Sequence, residues 1–497
     1  MGWPRLGWPG GAETGAAFGV GLVMATGQAP LGLWFLAWPA LVAVLALMAR
    51  AAGPAEAAWI GMFCALGHFG LALSWLVEPF LIDIARHGWM APFAVLLMAG
   101  GLGLFWAAAA ALGFRAGRGR WRLLALAAAL AAAELVRGHV LTGFPWAMIG
   151  HVWIDTPVAQ VAALAGPSGL TLLTTVSAAL PLMLGGAGLA AGLSLMGVAA
   201  AFGGLRLSAP EPADRPVTLR LVQPNAVQQD KWDPDRARMF FQRQLDYTAA
   251  APRPDLVIWP ETAVPWLLDR NPELGPVIAG AAGGATVVLG IQRSEGARFW
   301  NSMAVIAPDG TVRAIYDKHH LVPFGEYIPL GDLVSDWFGL TAFAARDGNA
   351  YSAGPGPTLV DLGSGLGRVL PLICYEAVFP QDLRGLPDRP DWLLQITNDA
   401  WFGTLTGPYQ HFAQARLRAI EQGLPLVRVA NTGISGVIDA RGRVRETIPL
   451  GQTASLDATL PGVLPQPPYA RWGEGPVLLL LAAISALLVM LHLRNRT

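Results

Sequence analysis

Few side chains in this sequence are free to do chemistry, and three of them form a set. The chain holds two cysteines, Cys64 and Cys374, and two lysines, Lys231 and Lys318, against 32 arginines. Where arginine has taken nearly every cationic position, a surviving lysine marks a place that wants a compact ammonium rather than a planar fork. Cys64 lies in an apolar stretch and Cys374 in a polar one, so no disulfide is expected. Two thiols with no CxxC spacing also argue against a structural zinc site. Cys64 reads as a small buried hydrophobe. Glu261, Lys318 and Cys374 each sit just past a short β-rich run. A thiol becomes a strong nucleophile only on losing its proton, and a neighbouring carboxylate can take that proton and later return it. An ammonium beside the reacting carbonyl stabilises the oxyanion. Together the three can transfer an acyl group through a thioester. The competing reading makes Glu261 and Lys318 surface charges and Cys374 a core residue. A Cys–His design is a second competitor, with His319, His320 and His411 as candidates.

The elements that must position these residues are strands of an α/β domain. Short β-rich runs, alternating with helical stretches, predict strands at 217–222, 256–259, 286–291, 303–306, 312–316, 368–373, 392–396 and 425–429. Pro308-Asp309-Gly310 is a turn between two of them. Residues 235–249 and 410–422 carry helical periodicity. Adjacent strands lie ~4.8 Å apart, so side chains at their ends can converge on one pocket.

The rest of the chain is of another kind. Hydrophobic residues make up 54% and charged residues 14%, which excludes an ordinary soluble protein. The formal net charge is zero and no basic stripe is interleaved with aromatics, so nucleic acid is not an expected partner. Apolar runs predict seven spans near 13–28, 32–49, 57–77, 90–112, 123–137, 168–186 and 188–205, and an eighth near 475–492. Arg115, Arg118, Arg120 and Arg122 crowd one loop, which the positive-inside rule makes cytoplasmic. Arg5, Arg50, Arg494 and Arg496 then also fall inside, and everything from 210 to 470 falls outside. The expected organisation is a membrane domain at 1–209, an extracytoplasmic catalytic domain at 210–470, and a final helix with a cytoplasmic tail at 471–497. The first span has no clear cleavage site and is expected to stay. Glu134 and Arg137 beside a span are expected to form a structural pair.

The runs Trp259-Pro-Glu261, Asp317-Lys-His-His-Leu-Val-Pro-Phe-Gly-Glu326-Tyr-Ile-Pro329 and Ile373-Cys-Tyr-Glu376 resemble the nitrilase superfamily. Within it they look like the membrane-embedded apolipoprotein N-acyltransferase family. Val222-Gln-Pro-Asn-Ala-Val-Gln-Gln-Asp-Lys231-Trp232, Thr397-Asn-Asp-Ala-Trp-Phe-Gly403 and Thr142-Gly-Phe-Pro-Trp146 fit the same pattern. The likeness covers essentially the whole chain, and the ordered set is far more specific than any one motif. It implies an αββα sandwich, a catalytic Glu261–Lys318–Cys374 triad, a fourth acidic residue at Glu326, and support from Trp232, Tyr375 and Glu376. It implies a membrane phospholipid as acyl donor, typically phosphatidylethanolamine. The implied acceptor is the free α-amine of the diacylglyceryl-cysteine that begins a processed lipoprotein. The implied setting is the bacterial inner membrane, with the catalytic domain on the periplasmic side. Pro224 is a position where the pattern does not obviously call for proline.

The chemistry so read is ping-pong. It needs no cofactor, nucleotide or metal, because passing from thioester to amide is downhill. Residues 337–343 (Trp-Phe-Gly-Leu-Thr-Ala-Phe) are a candidate lid at the membrane interface. Two other functions compete. A tethered amidase would not need the spans. A transporter or scaffold would more often carry acids or broken helices inside its spans.

Overall fold

In the strands of the second half of the chain, successive side chains serve two different cores. Leu219 and Leu221 join one apolar cluster and Val222 another; Leu256 and Ile258 join the first, Val257 and Trp259 the second. This period of two is what a pleated sheet covered on both faces requires. The computed structural model describes residues 10–329, 350–363 and 365–494. Arg5, Arg496 and the candidate lid at 337–343 lie outside the described residues.

Among the described residues, twelve strands form two six-stranded sheets. They are β1 (Thr218–Gln223), β2 (Leu256–Ile258), β3 (Thr286–Glu295), β4 (Arg298–Ile306), β5 (Val312–Asp317), β6 (Val360–Asp361), β7 (Arg368–Ile373), β8 (Trp392–Thr397), β9 (Leu426–Ala430), β10 (Ser435–Ile438), β11 (Val444–Ile448) and β12 (Ala454–Thr459). The first sheet runs β12-β1-β2-β3-β4-β5 and the second β11-β10-β9-β8-β7-β6. Each has a parallel centre, β1-β2-β3 or β7-β8-β9, flanked by antiparallel strands. The cluster between the sheets draws Leu221, Ile258 and Val288 from one and Ile373, Ile396 and Val429 from the other. Each such side chain contributes roughly 1.5–3 kcal/mol on burial.

The outer face of the first sheet is covered by helices Pro234–Ala249 and Leu274–Ala282. The first begins where Asp233 accepts hydrogen bonds from the Asp235 and Arg236 amides and Pro234 presets the first turn. It buries Ala237, Phe240, Phe241, Gln244 and Thr248, one face at helical spacing. Eight strands stand close to where the periodicity places them. Strands β3 and β4 run longer than expected, and β6, β10, β11 and β12 were not anticipated. These four are short or carry charged residues, as in Val444-Arg-Glu-Thr-Ile448, so their apolar signal is weak.

By internal contacts the chain divides into two units. One holds Pro210–Thr404 and Gln422–Pro465; the other holds Met1–Ala209, Leu405–Glu421 and Gln466–Thr497. The helix Gly407–Gln422, which links β8 to β9 in sequence, thus falls almost entirely in the helical unit. There Gln410 accepts from the Trp146 indole at 2.7 Å and donates to the Ala72 carbonyl at 3.0 Å.

Within the helical unit, five described helical stretches are long and apolar enough to cross a bilayer. They are Pro54–Ala72, Ile84–Ala116, Pro157–Leu184, Gly186–Ser208 and Gly475–Arg494. This is fewer than the eight expected. Gly11–Ala25 and Trp34–Arg50 are apolar but have 15 and 17 residues, below the ~20 that a straight crossing needs. Trp121–Arg137 also has 17 residues, and Arg122, Glu134 and Arg137 dilute its apolar character. Small residues let helices touch backbone to backbone. A Cβ on Gly21 would lie 2.1 Å from the Cys64 carbonyl oxygen, and one on Gly67 would lie 2.2 Å from that of Phe18. Glu134 and Arg137 do pair, at 2.8 Å and fully buried. Trp106 Nε1 and the Ile149 amide donate to the same carboxylate, and Arg137 also donates to the Phe144 and Trp146 carbonyls.

Candidate active site

Glu261 stands three residues beyond β2. The Trp259 amide continues the ladder to the Val288 carbonyl at 2.8 Å, and Pro260 then ends the strand, having no N–H to donate. The chain turns through Thr262 at φ +46° directly over Gly290 of β3. The Gly290 amide donates to the Pro260 carbonyl (3.1 Å), and the Gly290 carbonyl accepts from the Ala263 amide (2.8 Å). Only a residue without a side chain fits, because a Cβ there would lie 2.5 Å from Glu261 Cα. The carboxylate is buried and held at both oxygens. Asn301 Nδ2 donates to Oε1 at 2.6 Å, and the Asn398 amide donates to Oε2 at 2.8 Å.

Lys318 follows β5 and is 1% exposed. Its amide donates to the Asn301 carbonyl (2.9 Å), and its own carbonyl accepts from the Gly354 amide (2.8 Å). Its Nζ lies 2.9 Å from the Glu326 carboxylate and 3.5 Å from Glu261 Oε1. Burial alone would drive the ammonium toward its neutral form, but Glu326 and Glu261 more than reverse this and hold it charged. Asn301 Nδ2 also reaches Glu326 at 3.1 Å, so one amide group spans both carboxylates.

Cys374 is the first residue after β7. It takes φ +53°, a region costly for a residue with a Cβ, and opens the 3₁₀ turn Cys374–Val378. Its carbonyl accepts from Gln395 Nε2 at 3.2 Å. Burial pushes the thiol pKa well up, the Glu261 charge adds to this, and Lys318 opposes it. Burial and the Glu261 carboxylate thus favour the thiol form of the sulfur, and the Lys318 ammonium favours the thiolate.

Glu376 holds two of these pieces together. It is fully buried; one oxygen accepts from the Ile373 amide (2.7 Å), and the other from the His319 amide (2.8 Å), the Tyr316 hydroxyl (3.0 Å) and the His320 amide (3.3 Å). It thus ties the cysteine turn to the loop that carries Lys318. Tyr375 is buried edge-on to Phe379, with ring centroids 4.8 Å apart. His319 and His320 lie against Asp382 and Glu376. His411 belongs to the helical unit, beside the Trp146 ring.

Lys231, singled out in sequence only for its rarity, is buried next to the site. Its Nζ donates to Thr262 Oγ1 at 2.6 Å and to the Glu261 carbonyl at 3.3 Å. Burial lowers its pKa to about 8, and the Glu261 and Cys374 charges offset part of that. Trp232 is half-buried, with Lys231 Nζ 5.6 Å from its ring centroid. Both line a cleft with Phe240, Pro260, Glu261 and Thr262. Asn301 was missed, since nothing in an asparagine inside a strand signals that it will bridge two acids.

Comparison with known proteins yields two family matches. Residues 20–180 match the apolipoprotein N-acyltransferase N-terminal domain, and residues 218–462 match carbon-nitrogen hydrolase. The chain is 41% identical over 448 residues to an apolipoprotein N-acyltransferase of Caulobacter vibrioides, covering 84% of this chain and 82% of that one. It is 37% identical over 515 residues to one of Rhizobium meliloti, covering 96% of each. Among solved structures, a CN-hydrolase superfamily protein from Xanthomonas campestris aligns over 50% of this chain and 91% of its own, at 23% identity and a TM-score of 0.37. An amidase of the nitrilase superfamily from Nesterenkonia aligns over 51% of this chain and 94% of its own, at 16% identity and a TM-score of 0.36.

Proposed function

This chain belongs to the apolipoprotein N-acyltransferase family, and from that premise we propose a complete reaction for it. It is an acyltransferase that N-acylates lipoproteins. In our reading the donor is a membrane phospholipid, and the acceptor is the α-amine of an N-terminal diacylglyceryl-cysteine. The observation that carries the reading is the placement of Lys318 Nζ, 3.5 Å from Glu261 and 2.9 Å from Glu326, with both Glu261 and Lys318 acting on the Cys374 thiol.

Glu261 takes the Cys374 proton as the sulfur attacks an acyl ester carbonyl of the phospholipid. The developing oxyanion is stabilised by the Lys318 ammonium, with a backbone N–H near Cys374. The ester C–O bond breaks, Glu261 returns the proton to the departing lysophospholipid oxygen, and a thioester remains on Cys374. The lipoprotein amine then attacks the thioester while Glu261 accepts its proton. The C–S bond breaks, the amide is complete, and the proton passes back to the thiolate. Glu326 keeps Lys318 charged and in place. Asn301 and the Asn398 amide hold the base, and Glu376 and Tyr375 brace the cysteine turn. Trp232, at the cleft, is a supporting contact for substrate.

Both substrates in this reading are lipids of one leaflet, which fits an enzyme with five bilayer-length apolar helices. We assign it to the bacterial inner membrane with residues 210–470 on the periplasmic side. The shorter apolar helices would also cross, giving eight spans. A tethered hydrolase would use the same three residues but would release acid to water rather than amide to a lipoprotein.

The test is an intact-mass spectrum of the detergent-purified protein after incubation with a phospholipid of defined acyl mass. The reading requires an acyl adduct on Cys374 that disappears when a diacylglyceryl peptide is added, with the peptide gaining the acyl mass. A folded protein that binds donor and forms no adduct would refute the covalent route. Adduct loss to water at an unchanged rate with and without peptide would favour the hydrolase.

A further inference from the structure

Directly after Lys318 in sequence, His319 and His320 meet Asp382, and the three side chains bring metal-ligating atoms together with no assigned task. His319, His320 and Asp382 each offer one ligand atom, and these atoms all lie within 4.8 Å of one another. His319 Nε2 lies 3.4 Å from Asp382 Oδ2, and His320 Nδ1 lies 2.9 Å from the same oxygen. A tetrahedral ion with bonds of roughly 2.0–2.1 Å to nitrogen and oxygen sets its ligands about 3.4 Å apart. The His319–Asp382 pair already has that spacing, and the His320–Asp382 pair would open by a few tenths of an ångström.

The orientation of His319 strengthens the case. Its Nδ1 lies 2.6 Å from Glu376 Oε1, a carboxylate that is itself fully buried and anchored by backbone amides. An imidazole that donates Nδ1–H to a fixed carboxylate presents its Nε2 lone pair outward. This is the support that metal-bound histidines usually have. That Nε2 is buried and makes no hydrogen bond among the described residues, yet it faces the Asp382 carboxylate. With the ring neutral, that nitrogen and the carboxylate are two acceptors, which repel unless a cation sits between them. His320 is fixed as well, its ring stacked on Phe379 with centroids 3.5 Å apart.

We propose that His319 Nε2, His320 Nδ1 and Asp382 form a site for a single divalent cation of the zinc class, with a fourth position left for water. Two imidazoles and one carboxylate suit zinc or cobalt rather than magnesium or calcium, which prefer all-oxygen shells. The cysteine spacing argues against a structural zinc site built on thiols; this cluster uses two imidazoles and a carboxylate instead. The ion would not touch the reacting atoms. It would clamp the loop that follows Lys318 to the segment that follows Cys374, reinforcing the tie that Glu376 makes. The proposal concerns these residues alone and does not depend on which acyl donor or acceptor is used.

The test uses full-length protein in detergent, without a polyhistidine tag, stripped with a chelator and then equilibrated with Zn2+ or Co2+ and desalted. The expected result is about one equivalent of bound metal and, with Co2+, the intense visible absorption of a tetrahedral site. Asp382→Asn and, separately, His320→Asn should each bring the stoichiometry below about a tenth of an equivalent, while gel filtration and a melting curve report a folded protein. If one variant does not fold, the other decides. Metal content near zero in the wild type overturns the proposal, and so does full stoichiometry retained in a folded variant. Either result leaves a proton on His319 as the cation of the cluster, and neither alters the acyl-transfer reading, whose adduct on Cys374 is measured separately.

Discussion

Replacing Gly290 with alanine would move Glu261 without touching its side chain. The new Cβ would stand 2.5 Å from Glu261 Cα and from the Pro260 carbonyl oxygen, and 2.6 Å from the Thr262 amide nitrogen. Non-bonded carbon contacts settle near about 3.5 Å, so the turn over β3 must retreat by roughly 1 Å. The atoms in the way are backbone, and no rotamer change relieves them. The carboxylate is held at 2.6 Å by Asn301 and at 2.8 Å by the Asn398 amide, and such a retreat stretches or breaks both bonds. A misplacement of about 1 Å in a positioned catalytic group costs on the order of 100-fold in rate. The overpacking itself costs roughly 1–3 kcal/mol of stability. The assay is single-turnover acylation of Cys374 by a phospholipid of known mass, beside a melting curve. Gly280→Ala is the control. Gly280 lies exposed on helix Leu274–Ala282 with open space around it, so alanine there should add about 0.5–1 kcal/mol and leave the rate alone. Gly290→Ala acylating within threefold of wild type, with its melting temperature lowered, would refute the idea that Glu261 must be held there.

Three further outcomes follow from the same geometry. Lys231 has its pKa lowered from 10.5 to about 8 by burial, so the unfolded chain holds more protons than the folded one between those values. Stability therefore rises with pH across that window, and wild type should gain on Lys231→Met from about pH 8 to 10.5, by at most on the order of 3 kcal/mol; a melting-temperature difference that is flat with pH would remove this account. Glu376→Gln keeps the shape but not the charge that its donors share, and should cost at least about 2 kcal/mol and slow acylation, because Lys318 and Cys374 lose their common anchor. An unchanged melting temperature would show that the clamp is idle. In the helical unit, Glu134→Leu or Arg137→Met alone should each cost roughly 3–5 kcal/mol by stranding a buried charge, whereas the double substitution should cost less than either. Thermal denaturation in detergent of the three variants checks the order.

What the linear chain determined was chemistry and class. Glu261, Lys318 and Cys374 could be named as candidates because each comes just past a short β-rich run, and the ends of neighbouring strands lie close together. The bilayer-length helices could be seen because apolar length alone identifies them, although three spans expected from shorter apolar runs fall below that length. Tertiary structure decided what turns a set of residue types into a site. Asn301 spans two acids only because β4 lies between β3 and β5 in the sheet. The Asn398 amide reaches Glu261 from the other sheet, 137 positions away in sequence. Lys231 looked like any surviving lysine until folding buried it against the Glu261 turn. The positive φ of Cys374 and the close approach at Gly290 are likewise settled by neighbours far along the chain. Periodicity reports which face of an element is dry. It carries no record of which distant donor will meet which carboxylate, because that pairing is fixed by how the sheets stack and not by any local preference of the residues involved.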